Sequence, residues 1–125
     1  MRKSLVTDKH CVAKLLRYIN DIQTIILEEE ISSYQDLANS LSAKYAVTQL
    51  ITNIYELSRK LQDETLRSSS SFSKIKTRTA RQVASHDYSS VNFQAIFSIC
   101  TQLSEAAVLN ELQSFLNVED DDNGE

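Results

Sequence analysis

Arg81, His86 and Tyr88 fall within the octapeptide Arg81-Gln82-Val83-Ala84-Ser85-His86-Asp87-Tyr88, and these residue types at this spacing suit phosphodiester chemistry on RNA. Arg81 is a permanent cation whose planar fork can grip two phosphoryl oxygens, so its natural role is to position a phosphate and stabilise charge on it. His86, with an ordinary pKa of about 6.5, is suited to moving a proton at neutral pH. RNA carries its own nucleophile in the 2′-hydroxyl, so such a pair can work without metal. The products would be a 2′,3′-cyclic phosphate and a free 5′-hydroxyl. Gln82 and Ser85 are the supporting polar side chains beside the pair.

The surroundings strengthen this reading. From Thr65 to His86 there is no Asp or Glu, while Arg67, Lys74, Lys76, Arg78 and Arg81 supply five positive charges. A polyanion is drawn to such a strip. Lys74, Lys76 and Arg78 are therefore candidate RNA phosphate contacts, the plain alternative being a solvated face. Metal-assisted cleavage is disfavoured, because the strip offers no carboxylate and the other imidazole, His10, is far away in sequence and reads as a surface or capping residue. No metal and no cofactor is expected. Cys11 and Cys100 match neither zinc spacing nor a secreted disulfide framework, and read as buried thiols in a reducing compartment.

The formal charge of −4 hides how these charges are distributed. Five of the seventeen acids lie in the last seven residues, which leaves residues 1–118 with 13 basic and 12 acidic side chains, about +1. The organisation expected is one domain over residues 1–118 and an acidic, disordered, solubilising tail over 119–125. The N-terminal Met1-Arg2-Lys3-Ser4-Leu5-Val6-Thr7-Asp8 reaches an acid before any apolar region develops, unlike a secretory signal. No run approaches the ~20 apolar residues that span a bilayer. A soluble cytoplasmic protein with no membrane partner is expected.

The elements that must position the octapeptide are helices. There is no Pro, and the single Gly is Gly124, so the residues that punctuate hairpins and βα turns are missing. After Thr7 or Asp8 as N-cap, Val12, Leu15, Leu16, Ile19, Ile22 and Ile26 mark a first long helix ending near Glu28–Glu30. Ser33 with Asp36 resembles a capping box that opens a short helix through Leu37 and Leu41. Val47, Leu50, Ile51, Ile54, Leu57 and Leu61 mark a second long helix ending in Gln62-Asp63-Glu64. The serine-rich residues 67–74 read as a mobile surface loop. A helix resumes around Ile75 or Lys76 and carries the octapeptide near its C-terminal end. Asn92 or Ser90 caps a last helix with Phe93, Ile96, Phe97, Cys100, Leu103, Ala107, Leu112 and Phe115 on its apolar face. The fold class is all-α, an antiparallel four- to five-helix bundle.

Helix geometry constrains the site. Residues five apart stand about 140° from one another around an ideal helix, too far for Arg81 and His86 to converge on one phosphate from one face. Arg81, Ser85 and Tyr88 share a face, and Gln82 and His86 a neighbouring one. Either the helix ends before His86, or a second copy of the chain completes the site.

The spacing of Arg, four residues, His, one residue and Tyr at Arg81, His86 and Tyr88 resembles the signature of the HEPN ribonucleases, and in particular the HepT-like toxins paired with a minimal nucleotidyltransferase antitoxin. The likeness extends to residues 86–97, a loop into a capped helix, and to Asp8 through Ile22 and Ala46 through Asp63, covering most of residues 8–116. It implies a HEPN-like homodimer whose two motifs face each other across a cleft. It also implies that Tyr88 is where the partner attaches AMP, an adduct that would block the cleft and repel RNA phosphates; the plain alternative is that Tyr88 stacks on a base or bonds across the dimer. Glu56 lies near the site in the family pattern, though a solvated or helix-pairing glutamate explains it as well. The chain departs from the pattern at Gln82, where the family often has Asn; at Thr77, Arg78 and Thr79, which lie where a Gly is common; at Phe72, the nearest aromatic to the usual Trp; and at Tyr55, where many relatives have Gly. The function expected is a metal-independent endoribonuclease toxin. Its alternatives are a HEPN-type module that binds RNA or nucleotide without cutting, and a helical dimeric scaffold.

Overall fold

The computed structural model describes residues 3–85 and 92–118. His86, Asp87, Tyr88 and Ser90 lie outside the described residues, as does the acidic segment 119–125. The described residues form eight helices and no strand: α1 (Lys3–Glu28), α2 (Tyr34–Asn39), α3 (Leu41–Ser58), α4 (Glu64–Arg67), α5 (Ser70–Ile75), α6 (Arg78–Ala84), α7 (Phe93–Leu103) and α8 (Ala106–Leu116). The fold is an all-α bundle. No helix among the described residues is long and apolar enough to cross a membrane.

The centre of the bundle is α1 against α3, with α8 on the other flank of α1. Val12, Leu15, Ile19 and Ile22 of α1 are fully buried against Val47, Ile51 and Ile54 of α3 and the rest of one continuous core. Each such side chain withdrawn from water contributes about 1.5–3 kcal/mol. Cys100 belongs to the same core, and burial pushes its thiol up to about 12.

Helix ends account for most differences from the periodicity. α1 starts at Lys3, so Thr7 and Asp8 lie inside it and cap nothing at its start. The Asp8 carboxylate is spent elsewhere, accepting the backbone N–H groups of Gln62 at 3.0 Å and Asp63 at 2.8 Å. At the far end Glu30 takes a left-handed φ of 55°, with Ile31 N–H on the Ile26 carbonyl and Glu30 N–H on that of Leu27. This is a Schellman closure made without glycine. Ser33 caps α2 as its spacing suggests, accepting from Asp36 N–H, while Asp36 reaches back to the N–H and hydroxyl of Ser32. Those bonds hold the Asp36 carboxyl below its ordinary range. α2 stops at Asn39 and does not run through Leu41, because Ser40 opens α3 by accepting from Ala43 N–H. α3 in turn closes at Ser58, before the polar Gln62-Asp63-Glu64, and Leu61 is buried beyond its end.

Residues 67–74 are not a surface loop. They carry the end of α4 and most of α5, and Ser71, Phe72 and Ile75 are buried. Two of the serines are helix caps, Ser68 closing α4 and Ser69 opening α5, where Ser69 accepts from Phe72 N–H and donates to the Leu66 carbonyl. Ile75 ends α5 where a helix start was expected, and α6 begins only at Arg78. The last helix is two helices, because the apolar rhythm slips between Leu103 and Val108, a step of five. Ala107, expected on the buried face, is exposed.

Candidate nucleic-acid interface

Thr77 opens α6 by accepting from Ala80 N–H at 3.0 Å. Ala80 and Val83 then turn inward, and α6 packs on α3 and more lightly on α7. With the apolar pair pinned, residues 78 and 81 are left on the outer face, and both arginines are exposed. Arg81 lies in the last turn, where a cation also complements the helix dipole. Among the described residues no carboxylate pairs with Arg78 or Arg81.

The helix ends at Ala84, and Ser85 is its C-cap. The Ser85 N–H bonds the Arg81 carbonyl at 3.0 Å, and its hydroxyl donates to the Gln82 carbonyl at 2.7 Å. Ser85 therefore closes the helix, and its hydroxyl proton is committed to that bond. Gln82 is half-buried. α6 therefore ends before position 86. His86 and Tyr88 themselves lie outside the described residues.

The rest of the basic strip is not uniform. Lys74 Nζ pairs with Glu105 at 2.7 Å, so the acid missing from the strip in sequence is supplied in space from the start of α8. Arg67 donates to the Leu61 carbonyl at 3.4 Å. Lys76, at the corner between α5 and α6, holds its ammonium 5.9 Å from the Tyr55 ring centre and 5.6 Å from that of Phe72. Tyr55 thus stands beside the lysine that leads into α6. Glu56 is exposed and pairs with Arg59 at 3.5 Å, a helix-surface pair. His10 is exposed on α1.

A second cation stands in similar surroundings at the other end of α3. Lys44 Nζ lies 5.7 Å from the Tyr45 ring centre and 5.9 Å from that of Phe93. The periodicity passed over Lys44 and Tyr45 and took Phe93 only as part of an apolar face, although an adjacent Lys and Tyr, with a Phe directly after the Asn92 cap, is the sort of basic and aromatic pairing that nucleic-acid surfaces use.

Two other features bear on chemistry. Burial raises the Cys11 thiol as well as that of Cys100, so neither is poised as a thiolate nucleophile. Among the described residues no three His, Cys, Asp or Glu side chains come together in a way that could hold a metal ion. The depression beside Asp8 is lined by Leu5, Gln62, Asp63, Thr65, Phe115 and Val118, and by none of the strip residues. The fold and this edge define an all-helical bundle that presents two arginines from a short helix pinned to its core. Comparison with family models, curated proteins and solved structures finds no match.

Proposed function

We propose that this chain is a metal-independent endoribonuclease of the HEPN type, acting as the HepT-like toxin of a pair whose other member is a minimal nucleotidyltransferase. The observation that carries the reading is the setting of Arg81. It sits exposed in the last turn of a helix whose opposite face is locked into the core, free of carboxylates among the described residues, five positions before His86. A rigid mount of this kind holds a guanidinium where charge on a phosphate can be met without reorganisation.

In this mechanism the RNA 2′-hydroxyl attacks the adjacent phosphorus and the 5′-oxygen of the next nucleotide leaves. Arg81 stabilises the charge on the phosphoryl oxygens, and His86 transfers a proton. Arg78 contributes long-range attraction. Lys74 contributes less, because Glu105 neutralises it. The homodimer rests on the likeness of the motif to the family. AMP on Tyr88 would add a phosphate charge beside the motif and turn RNA away.

The test is incubation of the full chain with single-stranded RNA in EDTA. Cleavage to cyclic-phosphate ends should persist, and Arg81→Ala and His86→Ala should each lower it by about 100-fold or more. Intact RNA would overturn the reading. A non-cutting module is favoured by one observation, Gln82 in place of the common Asn. That reading requires salt-sensitive RNA binding with no cleavage.

A further inference from the structure

We propose that Lys44, Tyr45 and Phe93 form a contact site for one nucleotide of single-stranded RNA, in which Tyr45 stacks on the base and Lys44 pairs with its phosphate. This site rests on the ribonuclease reading and adds a substrate contact at the end of α3 opposite to Lys76.

The placement follows from α3. Lys44 and Tyr55 are eleven residues apart, so they lie within about 20° of one another around the helix and roughly 16 Å apart along it. Between them Thr48, Ile51 and Thr52 are buried. Lys76, just before α6, stands over Tyr55, and Phe93, at the start of α7, stands beside Lys44. Lys76 thus meets one end of this face of α3 and Phe93 the other, and α6, which carries Arg78 and Arg81, packs on α3. Two lysines, each held near a pair of aromatic rings, mark the two ends.

The two ends differ in what they leave open. Tyr55 and Phe72 are buried, so Lys76 can offer charge alone. Tyr45 is 66% exposed, the neighbouring Leu41 is also exposed, and Phe93 is only partly covered. A large aromatic surface beside a cation matches the pairing of stacking surface and charge by which proteins hold single strands. The positive charge favours a nucleic acid over a second apolar surface as the occupant.

The experiment measures binding apart from cleavage. The full chain carrying His86→Ala is titrated against a fluorescently labelled single-stranded RNA in EDTA, and against a matched strand with one abasic position. Adding Tyr45→Ala should weaken binding by roughly 5- to 100-fold, Tyr45→Phe should restore it, and the abasic strand should narrow the gap. Adding Lys44→Ala should lower the salt slope by about one ion. Tyr34→Ala, an exposed tyrosine on α2, serves as the control and should bind as the parent does. Circular dichroism confirms that the helices are intact. If the wild type cuts RNA but Tyr45→Ala binds and cuts like the parent, the contact site falls and the ribonuclease reading stands. If Tyr45→Ala alters only the oligomeric state, the surface serves a protein partner and the site falls. If the wild type neither binds nor cuts RNA, both fall.

Discussion

Replacing Asp8 should show how the segment that carries Arg81 is tied to the bundle. Asp8 is 1% exposed in the second turn of α1, and its carboxylate receives two backbone N–H groups from residues 54 and 55 positions away. Asp63 passes the connection on, since its own carboxylate caps α4 by accepting from Leu66 N–H at 2.8 Å. Asp8→Ala leaves both N–H groups without an acceptor, at about 1–3 kcal/mol each. Gln62 is exposed, so water repairs part of its loss, and a total of about 2–4 kcal/mol is expected. For 125 residues the entropy of unfolding sets about 4 °C per kcal/mol, so the melting temperature should fall by roughly 8–15 °C. Asp8→Asn keeps one acceptor and turns an NH₂ toward the second N–H, and should recover about half of the loss. Thermal and urea unfolding followed by far-ultraviolet circular dichroism give the numbers, and amide exchange should quicken first at Gln62 and Asp63. An Asp8→Ala variant within about 0.5 kcal/mol of the wild type would refute the reasoning, since that is the range of an ordinary surface change.

The Lys74–Glu105 pair is partly exposed, so a double-mutant cycle should give a coupling of only about 0.2–1 kcal/mol, vanishing in high salt. Glu105→Gln should free Lys74 and strengthen RNA binding at low salt, which anisotropy would detect. Cys100 is raised in the folded state from 9.0 to about 12, so the unfolded chain loses this proton first. Stability contributed by the neutral thiol is complete below pH 9 and is lost as pH rises from there toward 12, by about 1.4 kcal/mol per unit. The difference in urea stability between wild type and Cys100→Ala should shrink along that slope. Glu30→Gly should stabilise the chain by about 0.5–1 kcal/mol, because it removes a side chain from a left-handed backbone position, and urea unfolding checks it.

The core of the bundle was legible because α1 and α3 follow the helical period without interruption: Val12, Leu15, Ile19, Ile22, Val47, Ile51 and Ile54 are all buried. Junctions were harder to read. Ser69 looks like linker composition, yet its hydroxyl does the work of a cap, and nothing local separates the two uses. The break after Leu103 was present as a step of five in the apolar pattern, masked by Ala107, which is apolar enough to bridge it on paper. Asp8 looked like a cap for its own helix and proved to be one for a distant turn. At the candidate site, the spacing of Arg81, His86 and Tyr88 was legible, but the burial of Ala80 and Val83 that leaves Arg81 on the outer face was not read from it. Nor was the Glu105 partner of Lys74, because an ion pair across 31 residues leaves no trace in a linear charge pattern.

Six of the eight helices among the described residues begin on a side-chain oxygen: Ser33, Ser40, Asp63, Ser69, Thr77 and Asn92. Four residue types already fill the same job here, and each can stand in for the others with little loss. The consequence concerns how such a chain tolerates mutation over time. Every one of these corners can exchange Ser, Thr, Asp and Asn while the turn stays where it is, so the spelling of the junctions is free to drift. What cannot drift is the count of residues between one corner and the next, because that count sets which face of each helix meets the core. Between Thr77 and Ser85 it is also what keeps Arg81 facing outward.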